Sequence, residues 1–381
     1  MKKIGIITFH NSYNCGSMLE SFAMQEIIKK RGAKATIIDF SNIGQRNLYD
    51  VFIPNNSLKN VIKNILVYPH RNRVKNNNSM YEKFKKDNFN LTNKSFSTMD
   101  ELTDDDYDVV VAGSDQIWNI TIDDSDDAYF LPWVKQAKKV AYSPSFGSKN
   151  ILKYSENPDK YKKFLLDFDS LSVRENNGKK WIKDLCDRDV DVLLDPTLLL
   201  EAKDYDKLID NNYTPEGDYI FFYCPSFDKK ICEFVKKIAD KYKIKVIAWS
   251  TKSYYFKFVS KYGFELVPYE TPALYLSLIK NAKLVITTSF HGTIFSTIYR
   301  KNFITVKNGG MYGDDDRVRT LLDELNMNDR LIPFDFKDDY DYMKDVNYGK
   351  EYSNSLNELK NKSIDYIDKN IIKMEDTYER N

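Results

Sequence analysis

Residues 283–293, Lys283-Leu284-Val285-Ile286-Thr287-Thr288-Ser289-Phe290-His291-Gly292-Thr293, decide the fold class of this chain. Leu284 to Thr287 are apolar or β-branched without alternation, the pattern of a strand buried on both faces. Ser289 is a natural helix N-cap, and Gly292–Tyr299 then reads as a short apolar helix. A strand turning straight into a helix gathers backbone N–H groups and a positive dipole end at one spot, which suits an anion. His291 sits at that spot and is one of three histidines, with His10 and His70. Taken alone, an imidazole there is most simply a cap or a turn filler.

The same strand, polar loop and helix recur outward from this stretch. Ile4–Phe9 predicts a buried strand, His10–Ser17 a polar loop, and a helix follows from about Met18 with Leu19, Phe22, Ala23 and Ile27 on one face. It stops at Arg31-Gly32, and Ala35–Phe40 is the next strand. No G-x-G-x-x-G occurs, so the dinucleotide fingerprint is absent. Asn11, Asn14 and Gly16 are either ordinary turn residues or the wall of a cleft. Tyr107–Ala112 runs into Gly113-Ser114-Asp115-Gln116, Leu171–Val173 into Arg174-Glu175, and Val192–Leu194 into Asp195-Pro196-Thr197. Polar clusters at strand carboxyl ends mark the ligand side of an α/β sheet. Strands at Tyr219–Tyr223, Lys245–Trp249 and Phe303–Val306 continue the pattern beyond a polar linker, 210–217. The expectation is an N-terminal Rossmann-like lobe over 1–209 and a C-terminal one over 218–350. A C-terminal helix over 351–381, with Leu359, Ile364, Ile367 and Ile371 on one face, would pack back on the first lobe.

Composition narrows the function. Lys+Arg 57 against Asp+Glu 56 gives no field for nucleic acid. The four cysteines show neither metal-ligand nor disulfide spacing, which suits a reducing cytoplasm. No segment approaches the roughly 18 apolar residues of a membrane span, and the N-terminus lacks a signal-peptide core. Between Lys59 and Lys86 lie Lys63, Arg71, Arg73, Lys75, Lys83 and Lys85, most simply a solvated face. Asp104–Asp106, Asp123–Asp127 and Asp314–Asp316 read as solvated loops, not metal sites.

Gly113-Ser114-Asp115-Gln116-Ile117-Trp118, Ser172-Val173-Arg174-Glu175, Leu194-Asp195-Pro196-Thr197-Leu198-Leu199 and Thr288-Ser289-Phe290-His291-Gly292 together resemble the polysaccharide pyruvyl transferase family. Asn11, Asn14, Gly16 and Gln25 are similar to that family's start, and Asp316-Arg317-Val318 before Leu321-Leu322 resembles its late arginine-plus-dileucine segment. The resemblance runs from about Met1 to Arg330. Cys15 and Ser17 depart from it, standing where the family often has an aromatic residue and alanine.

The resemblance implies two Rossmann-like lobes facing across a cleft, a GT-B-like fold. It implies transfer of pyruvate from phosphoenolpyruvate to a sugar of a cell-surface glycan or exopolysaccharide precursor, giving a cyclic ketal and phosphate. Such a donor needs fixed forks for a carboxylate and a phosphate, and Arg174 and Arg317 are placed for this. Protonating the enol carbon and then capturing a hydroxyl needs a group that titrates near neutrality, for which His291 is the candidate. Asp115 could take the sugar hydroxyl's proton or serve only as a strand-end acceptor. Asn14, Gly16, Ser114, Ser289 and Gly292 are the remaining substrate-binding candidates. No metal or cofactor is implied. A lipid-linked acceptor and peripheral contact with the inner face of a membrane stay open. So do a glycosyltransferase using a nucleotide sugar and a non-catalytic glycan-binding protein.

Overall fold

The computed structural model describes residues 1–307, 316–333 and 335–373. In the first lobe β1 (Lys3–Ile7), β2 (Lys34–Ile37), β3 (Val109–Ala112) and β4 (Lys138–Ala141) form a parallel sheet in the order β2-β1-β3-β4. A bridge from Val140 to Ser170 leads on to the parallel pair β5 (Ser172–Val173) and β6 (Asp191–Val192). In the second lobe β7 (Tyr219–Tyr223), β8 (Lys245–Trp249), β9 (Glu265–Leu266), β10 (Leu284–Thr287), β11 (Phe303–Val306) and β12 (Leu331–Ile332) pair in the order β12-β11-β10-β7-β8-β9, all parallel. Each sheet starts in the middle, runs to one edge, returns and fills the other side. The chain is thus two doubly wound Rossmann-like lobes in a GT-B-like arrangement. Strand order reverses between β1 and β3 in one sheet and between β7 and β10 in the other, and ligands bind at such points.

The strands are apolar throughout because both faces are covered. Val109, Val110, Val111 and Ala112 are fully buried, as are Leu284, Val285 and Ile286. The helix Cys15–Lys30 is buried nearly all round, Glu20 and Gln25 included, because it also meets the helix Pro272–Asn281 of the other lobe. Rings carry that contact across the lobes: Phe22 to Tyr205 at 6.3 Å, Tyr205 to Phe295 at 5.1 Å, and Phe295 to Tyr275 at 6.2 Å. The helix Lys350–Ile367 follows the second lobe in sequence but bonds to the first. Ser363 Oγ accepts from Leu194 N (3.1 Å) and the Tyr366 hydroxyl donates to Ala141 O (3.0 Å).

Two solvated readings are corrected. The helix Arg71–Asn88 is polar in composition, yet Val74, Asn77, Tyr81 and Phe84 make a buried stripe, Tyr81 and Phe84 on first-lobe rings and Asn77 on the second lobe. Asn77 donates to Thr251 Oγ1 (3.0 Å) and accepts from Glu270 N (3.0 Å), and Arg73 donates to Val267 O. An amide can be buried at a helix face because it satisfies a partner's backbone as well as its own polar groups. Among the acidic runs, Asp104 is buried and its Oδ2 accepts from the backbone of Lys135, Gln136 and Ala137 at 2.8, 2.6 and 2.8 Å. Asp124 is buried as well. Asp314, Asp315 and the Gly309–Gly313 loop lie outside the described residues.

Candidate active site

The turn after β10 is pinned before any ligand is considered. Ser289 Oγ accepts from Gly292 N (3.3 Å) and caps the helix Phe290–Ile298, while Ser289 N donates to Thr287 Oγ1 (3.0 Å). A Cβ on Gly292 would fall 2.5 Å from Thr287 Oγ1, so the helix can start this close to its strand only with glycine there. His291 is thereby fixed as the second residue of the helix. Its ring lies on Gly16 of the other lobe, where a Cβ would come 2.3 Å from Nδ1. Gly16 is in the first turn of Cys15–Lys30, and its N–H donates to the N-cap Asn14 Oδ1 (2.9 Å). Two helix N-termini, one from each lobe, therefore meet at the imidazole, and both dipoles present their positive ends.

Asp195 joins the two lobes' charges. Its Oδ2 lies 2.7 Å from Arg174 Nη1 and 3.4 Å from His291 Nε2. Its Oδ1 accepts from Thr197 N (3.0 Å) and Thr197 Oγ1 (2.6 Å). Arg174 Nη2 is 3.6 Å from Asp115 Oδ1, and the guanidinium stacks 4.4 Å over the Phe290 ring. All four polar residues are buried: His291 is 8%, Arg174 3%, Asp195 1% and Asp115 4% exposed. Among the described residues, Arg174 Nε, Arg174 Nη2 and His291 Nε2 have no hydrogen-bond partner. Arg174 Nη2 and His291 Nε2 thus meet their carboxylates, at 3.6 and 3.4 Å, only as loose ion pairs, and buried donors so placed keep capacity for a further acceptor.

The acids around them are held in different states. Burial alone would raise the Asp195 carboxyl, but His291 and Arg174 outweigh it and hold it below the ordinary carboxylate range. Glu20 is raised well above its ordinary value by burial, reinforced by Asp195 and Asp115. Its Oε1 accepts from Ser114 N (2.6 Å) and its Oε2 from Thr8 Oγ1 (3.0 Å). Burial pushes Glu175 up to about 7, with Arg174 and Arg317 opposing the rise. Two acids that tend to be neutral keep the cluster from repelling an anion.

Glu175 gives a stability prediction. Its folded value of about 7 exceeds its ordinary 4.5, so the native state binds the extra proton. Its contribution is full below pH about 4.5 and is lost as pH rises through about 7. Glu175→Gln should flatten that part of the decline, measured as the difference in unfolding free energy between wild type and variant from pH 4.5 to 7.5. Parallel curves would place its titration elsewhere.

The structure brings His291, Arg174 and Asp115 together, with Gly16 beneath the ring. Arg317 opens the helix Arg317–Glu324, half-buried and near enough to Glu175 to affect its titration. The side chains of Asn14 and Ser289 are engaged as caps, and Ser114 Oγ donates to Ser143 O. These three shape the site by holding its backbone. Asp195, Glu20 and Glu175 were not among the sequence candidates. Asp195 has a visible signal, since it follows the strand next to that of Arg174; Glu20 has none, because a helix with one apolar face leaves it outside.

A family model described as polysaccharide pyruvyl transferase matches residues 14–310. The chain belongs to that family. The matched range contains Asn14, Gly16, Asp115, Arg174, Asp195 and His291; Arg317 lies just beyond it. No curated protein matches the chain. Among solved structures it is similar to an S. aureus MnaA–UDP complex at 12% identity, covering 97% of this chain and 96% of that one, with a TM-score of 0.49. It is also similar to UDP-GlcNAc 2-epimerase from Neisseria meningitidis bound to UDP-GlcNAc (11% identity, 96% and 99% covered, TM-score 0.44). A third is the E. coli heptosyltransferase WaaC with ADP-2-deoxy-2-fluoro heptose (11%, 82% and 91%, TM-score 0.38). Likenesses this distant say nothing of the substrate of this pyruvyl transferase relative. No helix among the described residues is long and apolar enough to cross a membrane.

Proposed function

We propose that this protein transfers the pyruvyl unit of phosphoenolpyruvate to two hydroxyls of a saccharide, forming a cyclic ketal and releasing phosphate. The observation that carries the reading is the set of buried donors on Arg174 and His291 that Asp115 and Asp195 leave without a full hydrogen bond, gathered where two helix N-termini meet. Arg174 and Arg317 bind the donor's carboxylate and phosphate through planar forks. His291, its Nε2 3.4 Å from Asp195 Oδ2, protonates the methylene carbon. One sugar oxygen bonds to the central carbon and yields its proton to Asp115. The second sugar oxygen then displaces phosphate, its proton passes to the neutral His291 left by the first step, and Asp115 returns the first hydroxyl's proton to the departing phosphate.

A cavity of about 680 Å³ between the lobes begins at Asn14 and Cys15, next to Gly16. Tyr49, Tyr81, Trp249 and Asn77 line it, rings and amides of the kind that receive sugars, and we assign it to the acceptor, with the first lobe and its 42–88 helices as the acceptor side. Cys15, one of the two departures from the family pattern, lines it. The donor claim is tested by thermal unfolding with millimolar phosphoenolpyruvate, pyruvate, phosphate and nucleotide sugars. Phosphoenolpyruvate should raise the midpoint most, and pyruvate least of the donor's fragments, because linkage follows affinity. Stabilisation by a nucleotide sugar with phosphoenolpyruvate silent would replace this reading with a glycosyltransferase.

A further inference from the structure

The helix Leu58–Val67 carries an apolar stripe on its outer side. Leu58, Ile62 and Ile65, spaced four and three residues apart, share one helical face and are 77%, 49% and 64% exposed. Phe52 and Tyr68, stacked at 6.3 Å, extend the patch from the helix ends, and both are exposed. Of twelve large hydrophobic residues exposed among the described ones, seven (Ile43, Leu48, Phe52, Leu58, Ile62, Ile65 and Tyr68) fall between 43 and 68. Scattered exposed apolar side chains need no explanation, but a concentration on one helix face does.

Charge says what covers it. From Val51 to Tyr81 the sequence has no Asp or Glu and five cations, Lys59, Lys63, Arg71, Arg73 and Lys75, whereas the whole chain is near neutral at +1. Arg73 is turned inward onto Val267 O, but Lys59 is exposed, and the Arg71 guanidinium lies 4.3 Å over the exposed Tyr68 ring. Burial, then Lys59 and Lys257, hold Lys63 below its ordinary value, so three ammonium groups are neighbours there. A flat apolar stripe with amphipathic aromatics at its ends and cations along its flank fits the headgroup boundary of an anionic bilayer. A protein partner would need shape and acid complementarity along the same stripe; a lipid surface needs only apolar depth and negative charge.

We propose that the Leu58–Val67 helix docks this protein on anionic membrane, with Leu58, Ile62 and Ile65 inserted among the lipid chains. Asn60 and Lys63 of the same helix line the inter-lobe cavity, so docking sets the cavity's mouth at headgroup level. If the proposed transfer reading holds, that is where a saccharide on a lipid carrier would be met. The docking itself does not depend on that reading.

The test is co-sedimentation with vesicles of phosphatidylcholine containing about one third phosphatidylglycerol. Wild type should pellet with them, less at high salt, and stay in the supernatant with pure phosphatidylcholine. Leu58→Ser/Ile62→Ser/Ile65→Ser should lower the partition coefficient at least tenfold with unchanged circular dichroism, while ketal formation on a water-soluble acceptor is kept. Wild type that does not pellet, or a triple variant that pellets equally, overturns the proposal. So does a concentration-dependent dimer in sedimentation velocity that the triple variant abolishes, which would assign the stripe to a second copy of the chain. Binding without any transfer activity would refute the enzymatic reading and leave the docking intact.

Discussion

His291→Gln leaves the protein folded and lowers turnover by roughly 10²–10⁴. The glutamine keeps a polar head of similar reach at the second position of its helix and adds no bulk over Gly16. Asp195 keeps its 2.7 Å pair with Arg174, so no buried charge is orphaned by the change. What is lost is a group that can hold a proton for the enol carbon and take one back within the same cycle. The measurement is phosphate release from phosphoenolpyruvate with a saccharide acceptor, beside the unfolding midpoint. Near-normal release from a folded variant would take His291 out of the mechanism. The variant's residual rate should also lose the pH dependence that the imidazole gives wild type, which a merely positioning role would not do.

The strand and helix around His291 were legible because parallel sheets impose a simple pattern. β10 is covered on both faces and must be apolar throughout, and a serine followed by a glycine marks the only geometry in which the helix can start at once. The same logic exposed β1, β3 and β7. It failed at the helix Arg71–Asn88, whose buried stripe includes Asn77, an amide that bonds to the other lobe's Thr251 and Glu270. Hydropathy does not register a polar residue that is buried because its partners are. Asp104 and Asp124 escaped for the same reason, as single buried acids inside runs that look solvated. Within the site, Arg174 and His291 read alone as structural residues and became candidates only through the set of motifs around them. Asp195 belonged only to a polar cluster at a strand's end; it caps the next turn through Oδ1, and its second oxygen meets Arg174 and His291 only because β5 and β6 pair and the lobes close. That contact depends on tertiary placement and has no local signature.

Arg174→Lys should weaken phosphoenolpyruvate binding by about 10- to 100-fold, the cost of one or two hydrogen bonds to charged groups. Lysine keeps the positive charge and can still reach Asp195, so the ion pair that holds the cluster together survives. It cannot at the same time offer the two donors that Arg174 Nε and Nη2 leave unmatched, nor lie flat on Phe290 at 4.4 Å. The lysine variant is the informative one. Arg174→Ala would leave Asp115 buried beside Glu20 without its ion-pair partner and Asp195 with His291 alone, and breaking a buried pair in this way costs about 3–5 kcal/mol, enough to confuse binding with unfolding. Titration calorimetry with phosphoenolpyruvate on wild type, Arg174→Lys and Arg317→Lys separates the roles. Both lysine variants should bind more weakly, and Arg174→Lys by more, because its donors are the buried ones and bulk water cannot compensate for them. Unchanged affinity in a folded Arg174→Lys protein would mean that the guanidinium serves only to hold Asp195, and the donor's carboxylate and phosphate would have to be met by Arg317 and the two helix N-termini instead.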